Sequence, residues 1–223
     1  MGYAAGRQAG GLGTIPTNRV IGMDEQACGL PALSVEVIPL GKVSQTAVAV
    51  AAGNVQALLR LEALVMPSWP EPDYALLPLR GQYDAEAILA RLAQGTPACR
   101  LRLGLTAHDL CLSFVSHVYG QAQLGGCAAV VSLHRLQFFS EGGAAPRALA
   151  LERLAKITLH EMAHLLALTH CHRPGCVMRS VTDLEELDRL AAEPCPACQA
   201  RIASRKRLLE QASSRVPEFP GPG

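Results

Sequence analysis

The sequence predicts an α/β (α+β) fold, because segments with the periodicity of strands alternate with segments typical of helices. Apolar residues alternate over Leu33–Pro39, as in a strand, and the Ala-rich stretch Thr46–Met66 has the pattern of an amphipathic helix. Of the 223 residues, 49% are hydrophobic, which is enough to bury one substantial core. No internal repeat or linker divides the chain, so we expect a single compact domain.

The middle of the chain continues this alternation. Tyr74–Leu79 is a candidate strand, and Asp84 is well placed to cap a helix that continues through Leu92. Further strands are expected over Arg100–Leu105 and Cys127–His134.

Helices are expected in the last third of the chain. One should begin near Pro146, because proline fits the first turn of a helix. Thr182 and Glu185 have the spacing of a capping box for a helix that ends near Ala192. Another helix is expected from about Gln199 to Ser213.

Both ends of the chain lack hydrophobic periodicity. Residues 1–32 and 217–223 contain mainly glycine, proline and polar residues, so we expect them to be disordered and the domain to span 33–216. The N-terminal sequence lacks the basic start and apolar core of a secretory signal, which favours a cytoplasmic protein.

Charge and hydropathy argue against some classes of partner. A formal charge of +1 gives no reason to expect binding to nucleic acid. The longest apolar stretch, 46–66, is interrupted by polar and charged residues, so no membrane-spanning segment is expected. Four cysteines without metal-like spacing are expected to be reduced thiols in or near the core: Cys28, Cys99, Cys111 and Cys127.

Two histidines four residues apart give the strongest functional signal. In the segment HEMAHLLALTHC, His160 and His164 point the same way on a helix, so their imidazoles can bind one metal ion. Glu161 is then placed to hold a water molecule. His170 would lie about 120° around a continued helix from His164, so the helix must end between them if both bind the same ion. The alternative is a helix with ordinary surface histidines.

The end of this helix is expected at Ala167. The zinc metallopeptidases called metzincins have a glycine at this position of the motif, where it turns the chain back towards the metal. An alanine with positive φ costs about 1–2 kcal/mol, whereas zinc binding to a complete site contributes on the order of 10 kcal/mol. The alanine is therefore compatible with the turn.

Four cysteines follow with the two-plus-two spacing of a structural zinc site. Cys171 and Cys176 form the first pair, and Cys195 and Cys198 form a CPAC pair. Proline or glycine lies inside each pair and favours tight loops whose sulfurs converge on one point. The alternative is disulfides or buried thiols, but nothing in the chain indicates an oxidising compartment.

These residues together resemble the archaemetzincins, whose pattern is HExxHxxGxxHC, four residues, C, one residue, M, a spacer and CxxC. The resemblance implies that a catalytic zinc ion is bound by His160, His164 and His170. It also implies that Glu161 is the catalytic carboxylate, that Met178 forms the Met-turn beneath the site, and that the four cysteines hold a second, structural zinc ion.

The resemblance extends upstream and covers roughly residues 33–200. The segment Arg80-Gly81-Gln82-Tyr83 and residues 118–136 are similar to segments that precede the active-site helix in archaemetzincins. In metzincins an edge strand beside the zinc pairs with extended substrate, and Ala128–His134 is the candidate here. The alternative for Ala128–His134 is an ordinary interior strand.

The metzincin resemblance implies a twisted mixed sheet with long helices, one of which is the active-site helix. It also implies two subdomains, 33–167 and 168–216, with the catalytic zinc on the floor of the cleft between them. The small C-terminal subdomain would hold the structural zinc.

The predicted function is a zinc-dependent metallopeptidase acting on a peptide or protein substrate. Three neutral histidines leave a position for water, whose pKa zinc lowers to about 7, and Glu161 can take its proton. The alternatives are a catalytically idle, zinc-stabilised binding protein and a zinc amidohydrolase acting on a non-peptide amide. Aminopeptidase and endopeptidase activity both remain open, with Asp109 and Glu141 available as acidic anchors for a free amine. Nothing in the sequence reports the oligomeric state.

Overall fold

The computed structural model describes residues 33–96 and 100–213. The strands are β1 (Ser34–Leu40), β2 (Glu62–Val65), β3 (Leu76–Leu77), β4 (Gln82–Asp84), β5 (Arg100–Thr106), β6 (Leu110–Leu112), β7 (Val115–Val118), β8 (Gly120–Ala122) and β9 (Ala128–Ser132). The helices are α1 (Gln45–Asn54), α2 (Ala85–Ala93), α3 (Arg147–Leu165), α4 (Leu184–Arg189) and α5 (Pro196–Ser213). The disorder expected for 1–32 and 217–223, and the cysteines Cys28 and Cys99, lie outside the described residues.

A five-stranded mixed sheet in the order β2-β1-β5-β9-β8 forms the centre of the fold. The first four strands are parallel, and β8 runs antiparallel to β9. One face packs on α1 and α3 through residues such as Val35 and Val131, and the other packs on α2 through residues such as Ile38 and Val130. The predicted α/β fold with a mixed sheet is therefore confirmed.

A smaller sheet with the order β3-β4-β6-β7 lies beside the main one. Asp84 caps α2 as predicted, because its carboxylate accepts a hydrogen bond from the Glu86 N–H at 2.9 Å. The prediction of a strand over Tyr74–Leu79 is only partly right, because Asp73–Ala75 forms a 3₁₀ turn and the strand is limited to Leu76–Leu77.

The single helix predicted over Thr46–Met66 is wrong in its second half. After α1 the chain continues in a π turn over Val55–Leu59, and Arg60 adopts left-handed backbone angles that end the helix. Glu62–Val65 is strand β2, which pairs with the edge of β1. The backbone groups of β1 need a partner on this side, and pairing in the sheet outweighs the helical pattern of the sequence.

The capping box predicted at Thr182 and Glu185 is shifted by one residue. Asp183 is the cap and accepts from the Glu186 N–H at 2.7 Å, while the Glu186 carboxylate accepts from the Thr182 N–H at 3.0 Å. The helix ends at Arg189 and not near Ala192.

The expectation that Ala128–His134 contains the edge strand is also wrong. Strand β9 lies between β5 and β8 and is fully buried, as in the interior alternative. The edge strand is β8, which follows β7 with only Tyr119 between them.

The other expected elements are confirmed. They are β1, β5, β9, α3 with Pro146 at its cap, and α5, which begins three residues before Gln199. Cys111 is buried and Cys127 is half-buried, and both are free thiols. Within the described part of the chain, no helix combines the length and apolar character required to cross a lipid bilayer.

The turn that ends α3 is the one expected at Ala167. This alanine has a φ of 59°, and its N–H donates to the His164 carbonyl at 2.8 Å. The N–H of Gly125 donates to the same carbonyl at 2.8 Å. A side chain on Gly125 would place its Cβ 3.3 Å from the Cβ of Ala167, so the glycine makes room for the alanine methyl group.

Replacing Ala167 by glycine should raise the free energy of unfolding by about 0.5–1 kcal/mol. Glycine avoids the steric cost of positive φ, and this gain exceeds the additional backbone entropy that glycine loses on folding. Ala167→Val should lower it, since a β-branched residue is a poorer fit to this conformation. Denaturant unfolding of the metal-loaded protein measures both. A less stable glycine variant would show that the alanine turn is unstrained.

Candidate metal centre and substrate cleft

Three histidines converge at the C-terminal end of α3. His160 and His164 lie one turn apart on the helix, and the turn at Ala167 brings His170 back towards them. The ring centroids form a triangle with sides of 4.6, 5.0 and 5.2 Å. The sequence prediction that these three imidazoles meet at one point is consistent with this geometry.

Two of the rings are fixed by hydrogen bonds to main-chain carbonyls. Nδ1 of His160 donates to the Val177 carbonyl at 2.8 Å, and Nδ1 of His164 donates to the Leu168 carbonyl at 2.6 Å. A carbonyl can only accept, so the proton of each neutral ring is on Nδ1 and the lone pair is on Nε2.

The two Nε2 atoms of His160 and His164 are 3.0 Å apart. With both rings neutral, two lone pairs face each other at this distance with no proton between them. Burial lowers the pKa of His160 to about 4 and also lowers the pKa of His164, so both rings are neutral near pH 7. Zinc–nitrogen bonds of about 2.1 Å in a tetrahedron separate two nitrogens by about 3.4 Å. The site therefore fits a zinc ion.

Glu161 projects from the same helix and is only 6% exposed. Burial raises the pKa of its carboxyl group to about 8. Its side chain lies against the edge strand, because a Cβ added to Gly120 would be 2.7 Å from its Cγ. Sequence reasoning missed Gly120, although a glycine inside a strand signals a close approach of another group.

The four cysteines form a second cluster next to the histidines. The Sγ atoms of Cys171 and Cys195 are 3.9 Å apart, as are those of Cys176 and Cys198, and all four lie within 4.8 Å of one another. A tetrahedron of zinc–sulfur bonds of about 2.3 Å has edges of about 3.8 Å, whereas a disulfide brings two sulfurs to about 2.05 Å. The distances fit a metal site and not the alternative of disulfides.

Backbone N–H groups in this cluster favour thiolates. The Cys195 N–H donates to Cys176 Sγ at 3.3 Å. The Cys198 N–H, which bonds to Cys195, lowers the pKa of that thiol to about 7. His172 is exposed and belongs to neither cluster.

The cysteine loop is continuous with the histidine site. Cys171 follows His170 directly, and its N–H donates to the carbonyl of Met178 at 2.8 Å. Met178 is fully buried, and the preceding residue Val177 supplies the carbonyl that holds His160. One loop thus links the cysteines, the Met178 position and a histidine of α3.

A cleft of about 620 Å³ opens above the three histidines. One wall is the segment Val115–Ala122, the floor is α3 with His160, Glu161 and His164, and the opposite wall comes from residues 179–190. Neither Asp109 nor Glu141 lines this cleft among the described residues. Asp109 instead binds Arg135 and Gln82.

The model of peptidase family M54 matches residues 73–204, which is more than half of the chain. The chain belongs to this family. The match includes the histidines, the cysteines and the wall of the cleft, so the M54 chain is a zinc metallopeptidase, a hydrolase that acts on peptides or proteins.

The relatives of this M54 chain are archaemetzincins, which confirms the resemblance seen in the sequence. The archaemetzincin of Natronomonas pharaonis is 30% identical over 173 residues, which cover 76% of this chain and 99% of that protein. The crystal structure of the Archaeoglobus fulgidus archaemetzincin, complexed with malonate, is 30% identical with a TM-score of 0.66 over 76% of this chain and 99% of that one. The crystal structure of the Methanopyrus kandleri archaemetzincin is 29% identical with a TM-score of 0.67, and the match covers 78% of this chain and 96% of that one.

Buried cations fix the second wall of the cleft to the active-site helix of this M54 member. Arg153 is 1% exposed and makes two bonds to the Asp188 carboxylate, at 2.7 and 2.6 Å. Lys156, one turn before His160, donates to the carbonyls of Leu187 and Asp188 at 3.2 and 3.0 Å. Sequence reasoning missed both residues. The signal was present, since Lys156 is spaced by four from His160 and must lie on the same helix face.

Arg153→Met should lower the free energy of unfolding by about 3 kcal/mol, because it leaves the partly buried Asp188 carboxylate without its counter-charge. The matched control is Arg147→Met on the same helix, where an exposed arginine bonds to the Thr46 hydroxyl, and a change within about 0.5 kcal/mol is expected. Chemical denaturation of the metal-loaded variants measures both values. Equal losses in the two variants would contradict the role given to Arg153.

Proposed function

We propose that His160, His164 and His170 hold a catalytic zinc ion and that the four cysteines hold a second, structural zinc ion. The observation that carries the proposal is the pair of Nε2 atoms 3.0 Å apart, each with its proton committed to a carbonyl on the other side of the ring. Two facing lone pairs are stabilised by a cation between them. The sulfur distances support the second ion in the same way.

The chemistry of the catalytic site follows from these donors. A zinc ion at the histidines would supply a Lewis acid that polarises the peptide carbonyl and acidifies a water molecule. The carboxylate of Glu161 takes a proton from the attacking water and delivers it to the nitrogen of the leaving amine. Burial alone raises the pKa of Glu161 to about 8, and a nearby positive charge favours the ionised form that accepts the proton.

The edge strand β8 positions the substrate. It ends the five-stranded sheet, lines the cleft and touches Glu161 through Gly120. An extended peptide that pairs with β8 gains main-chain hydrogen bonds independent of its sequence. Its scissile carbonyl would then lie beside both Glu161 and the histidines.

The replacement of the family's glycine by Ala167 leaves this site assembled. Ala167 has the positive φ that the turn requires, and His170 lies 5.0 and 5.2 Å, centroid to centroid, from the other two rings. This geometry supports catalysis over the alternative of an idle, zinc-stabilised binding protein. The division into subdomains at residue 167 stays a prediction.

Glu161→Gln should lower the rate of peptide hydrolysis by about 10²–10⁴-fold while both zinc ions stay bound, because the amide cannot accept the proton. The measurement is mass-spectrometric mapping of products from a diverse peptide mixture, with zinc content determined in parallel. Products trimmed from the amino end would indicate an aminopeptidase, and internal cuts an endopeptidase. Full activity in the variant would remove Glu161 from this role.

Cys195→Ser should release one zinc ion per chain and lower stability. Because Cys171 is joined to His170, the affinity for the remaining zinc should also fall, by about tenfold or more. Elemental analysis and zinc titration check both effects. Cys127→Ser, a half-buried thiol outside the cluster, is the control that should keep both ions. Unchanged metal content in Cys195→Ser would contradict the four-thiolate site.

A further inference from the structure

One wall of the cleft is formed by a single extended segment of eight residues, Val115–Ala122, and every one of them lines the cleft. The first half is β7, which ends the four-stranded sheet, and the second half is β8, which ends the five-stranded sheet. Only Tyr119 separates the two strands. The wall is therefore about 26 Å long at about 3.3 Å per residue, and β8 supplies less than half of it.

The β7 half of the wall is held in place by two side chains that do not line the cleft. Arg80 donates through Nη1 to the Leu112 carbonyl at 3.1 Å, and through Nη2 to the carbonyls of Val115 and Ser116 at 3.2 and 3.1 Å. Gln82 donates through Nε2 to the Ser116 carbonyl at 2.8 Å. These carbonyls belong to β6 and β7, so the two side chains fix the hairpin that carries the wall.

The same two side chains are also joined to each other and to Asp109, the residue before β6. Arg80 Nε donates to Gln82 Oε1 at 3.1 Å, and Gln82 Nε2 donates to Asp109 at 2.8 Å. Asp109 in turn accepts two bonds from Arg135, at 2.7 and 2.8 Å. A hairpin of three-residue and four-residue strands is marginal by itself, so this network supplies its rigidity.

The sequence alone indicated no chemical role for the segment Arg80-Gly81-Gln82-Tyr83. The hydrogen bonds of Arg80 and Gln82 now indicate that these two residues position the wall. A wall that is fixed before the substrate arrives lowers the conformational entropy lost on binding. The guanidinium fork suits this role, because its five N–H donors are held in one plane and reach three separate carbonyls at once.

The surface of the β7 half is suited to an extended peptide with apolar side chains. Val115 is 44% exposed and lines the cleft together with Val118 and Tyr119. Burial raises the pKa of the Tyr119 hydroxyl and lowers the pKa of His117, so both groups are neutral near pH 7. This part of the wall thus offers apolar and neutral polar contacts.

The position of β7 relative to Glu161 decides which side of the scissile bond lies against β7. Glu161 contacts Gly120, and all residues of β7 precede Gly120 along the wall. Antiparallel pairing is slightly more stable per residue than parallel pairing. A peptide that runs antiparallel to β8 therefore places the residues after its scissile bond along Tyr119 and β7.

We propose that the substrate groove extends past β8 along β7, that it binds several apolar residues on the C-terminal side of the scissile bond, and that Arg80 and Gln82 are its positioning residues. The proposal rests on the peptidase function given above and adds to it a substrate class: extended peptides with at least four or five residues after the cleavage point.

The first test is a length series on a peptide cleaved by the zinc-loaded enzyme. Lengthening it from two to six residues after the scissile bond should raise kcat/KM by about tenfold, as expected for two or three added hydrogen bonds and side-chain contacts. In parallel, fluorescein-labelled peptides of Ala, Val and Ser with four, seven and ten residues are titrated into zinc-loaded Glu161→Gln protein. Their Kd, read by anisotropy, should fall by a similar factor with length.

The second test separates positioning from mere structural support. In Arg80→Lys the gain in kcat/KM with length should drop from about tenfold to about twofold, mainly through KM, while the zinc content and Tm stay near wild type. Arg207→Lys, an exposed arginine of α5 that does not line the cleft, should keep the full gain. If Arg80→Lys does not fold, Gln82→Met takes its place, since it removes the bond to Ser116 and keeps the side-chain volume.

The outcomes distinguish this inference from the proposed function. Hydrolysis with no dependence on C-terminal length, or a gain on N-terminal extension alone, would overturn the groove but leave the peptidase assignment intact. Absence of hydrolysis together with tighter binding of longer peptides to the Glu161→Gln protein would support the groove and contradict the proposed catalysis. An equal length gain in Arg80→Lys and wild type would remove the positioning role of Arg80.

Discussion

Two imidazole nitrogens 3.0 Å apart, neither carrying a proton, are the constraint on which the rest of the site depends. The arrangement holds because each ring donates its Nδ1 proton to a carbonyl from the chain beyond α3, at Leu168 and Val177. The positions of those carbonyls depend in turn on the turn at Ala167 and on the loop held by the cysteines. The histidine cluster and the cysteine cluster therefore share one stretch of chain, in which Cys171 follows His170 directly and Val177 supplies the carbonyl that holds His160.

Most of the site was predictable from the sequence because its residues are close together in the chain. Helical spacing places His160 and His164 on one face, and the requirement that His170 reach the same ion predicts a turn, which is found at Ala167 with a φ of 59°. The cysteine pairs, 19 residues apart at their inner ends, were found from spacing alone. In each case local geometry and the coordination of a metal determine the answer with no knowledge of the fold.

The errors lie where pairing between distant segments decides the structure. The Ala-rich pattern from Thr46 fits a helix, but from Glu62 the chain becomes a strand because it completes the edge of β1. The strand Ala128–Ser132 has the apolar character of either an edge or an interior strand, and only its pairing with both β5 and β8 shows which is true. A short edge strand such as Gly120–Ala122 has too little sequence pattern to be detected, although it contacts Glu161.

The two walls of the cleft are held in place by the same kind of interaction. In each, a cationic side chain donates to main-chain carbonyls of the wall: Lys156 to those of 187 and 188, and Arg80 to those of 115 and 116 and to that of 112 in the neighbouring strand β6. A carbonyl cluster with its lone pairs turned towards such a cation needs no other donor, so the wall can present apolar side chains to the cleft without leaving polar groups unsatisfied. The arrangement also commits these positive charges to the wall. A metal ion bound at the histidines would then add the positive charge under which the buried carboxylate of Glu161 can act as a base near neutral pH.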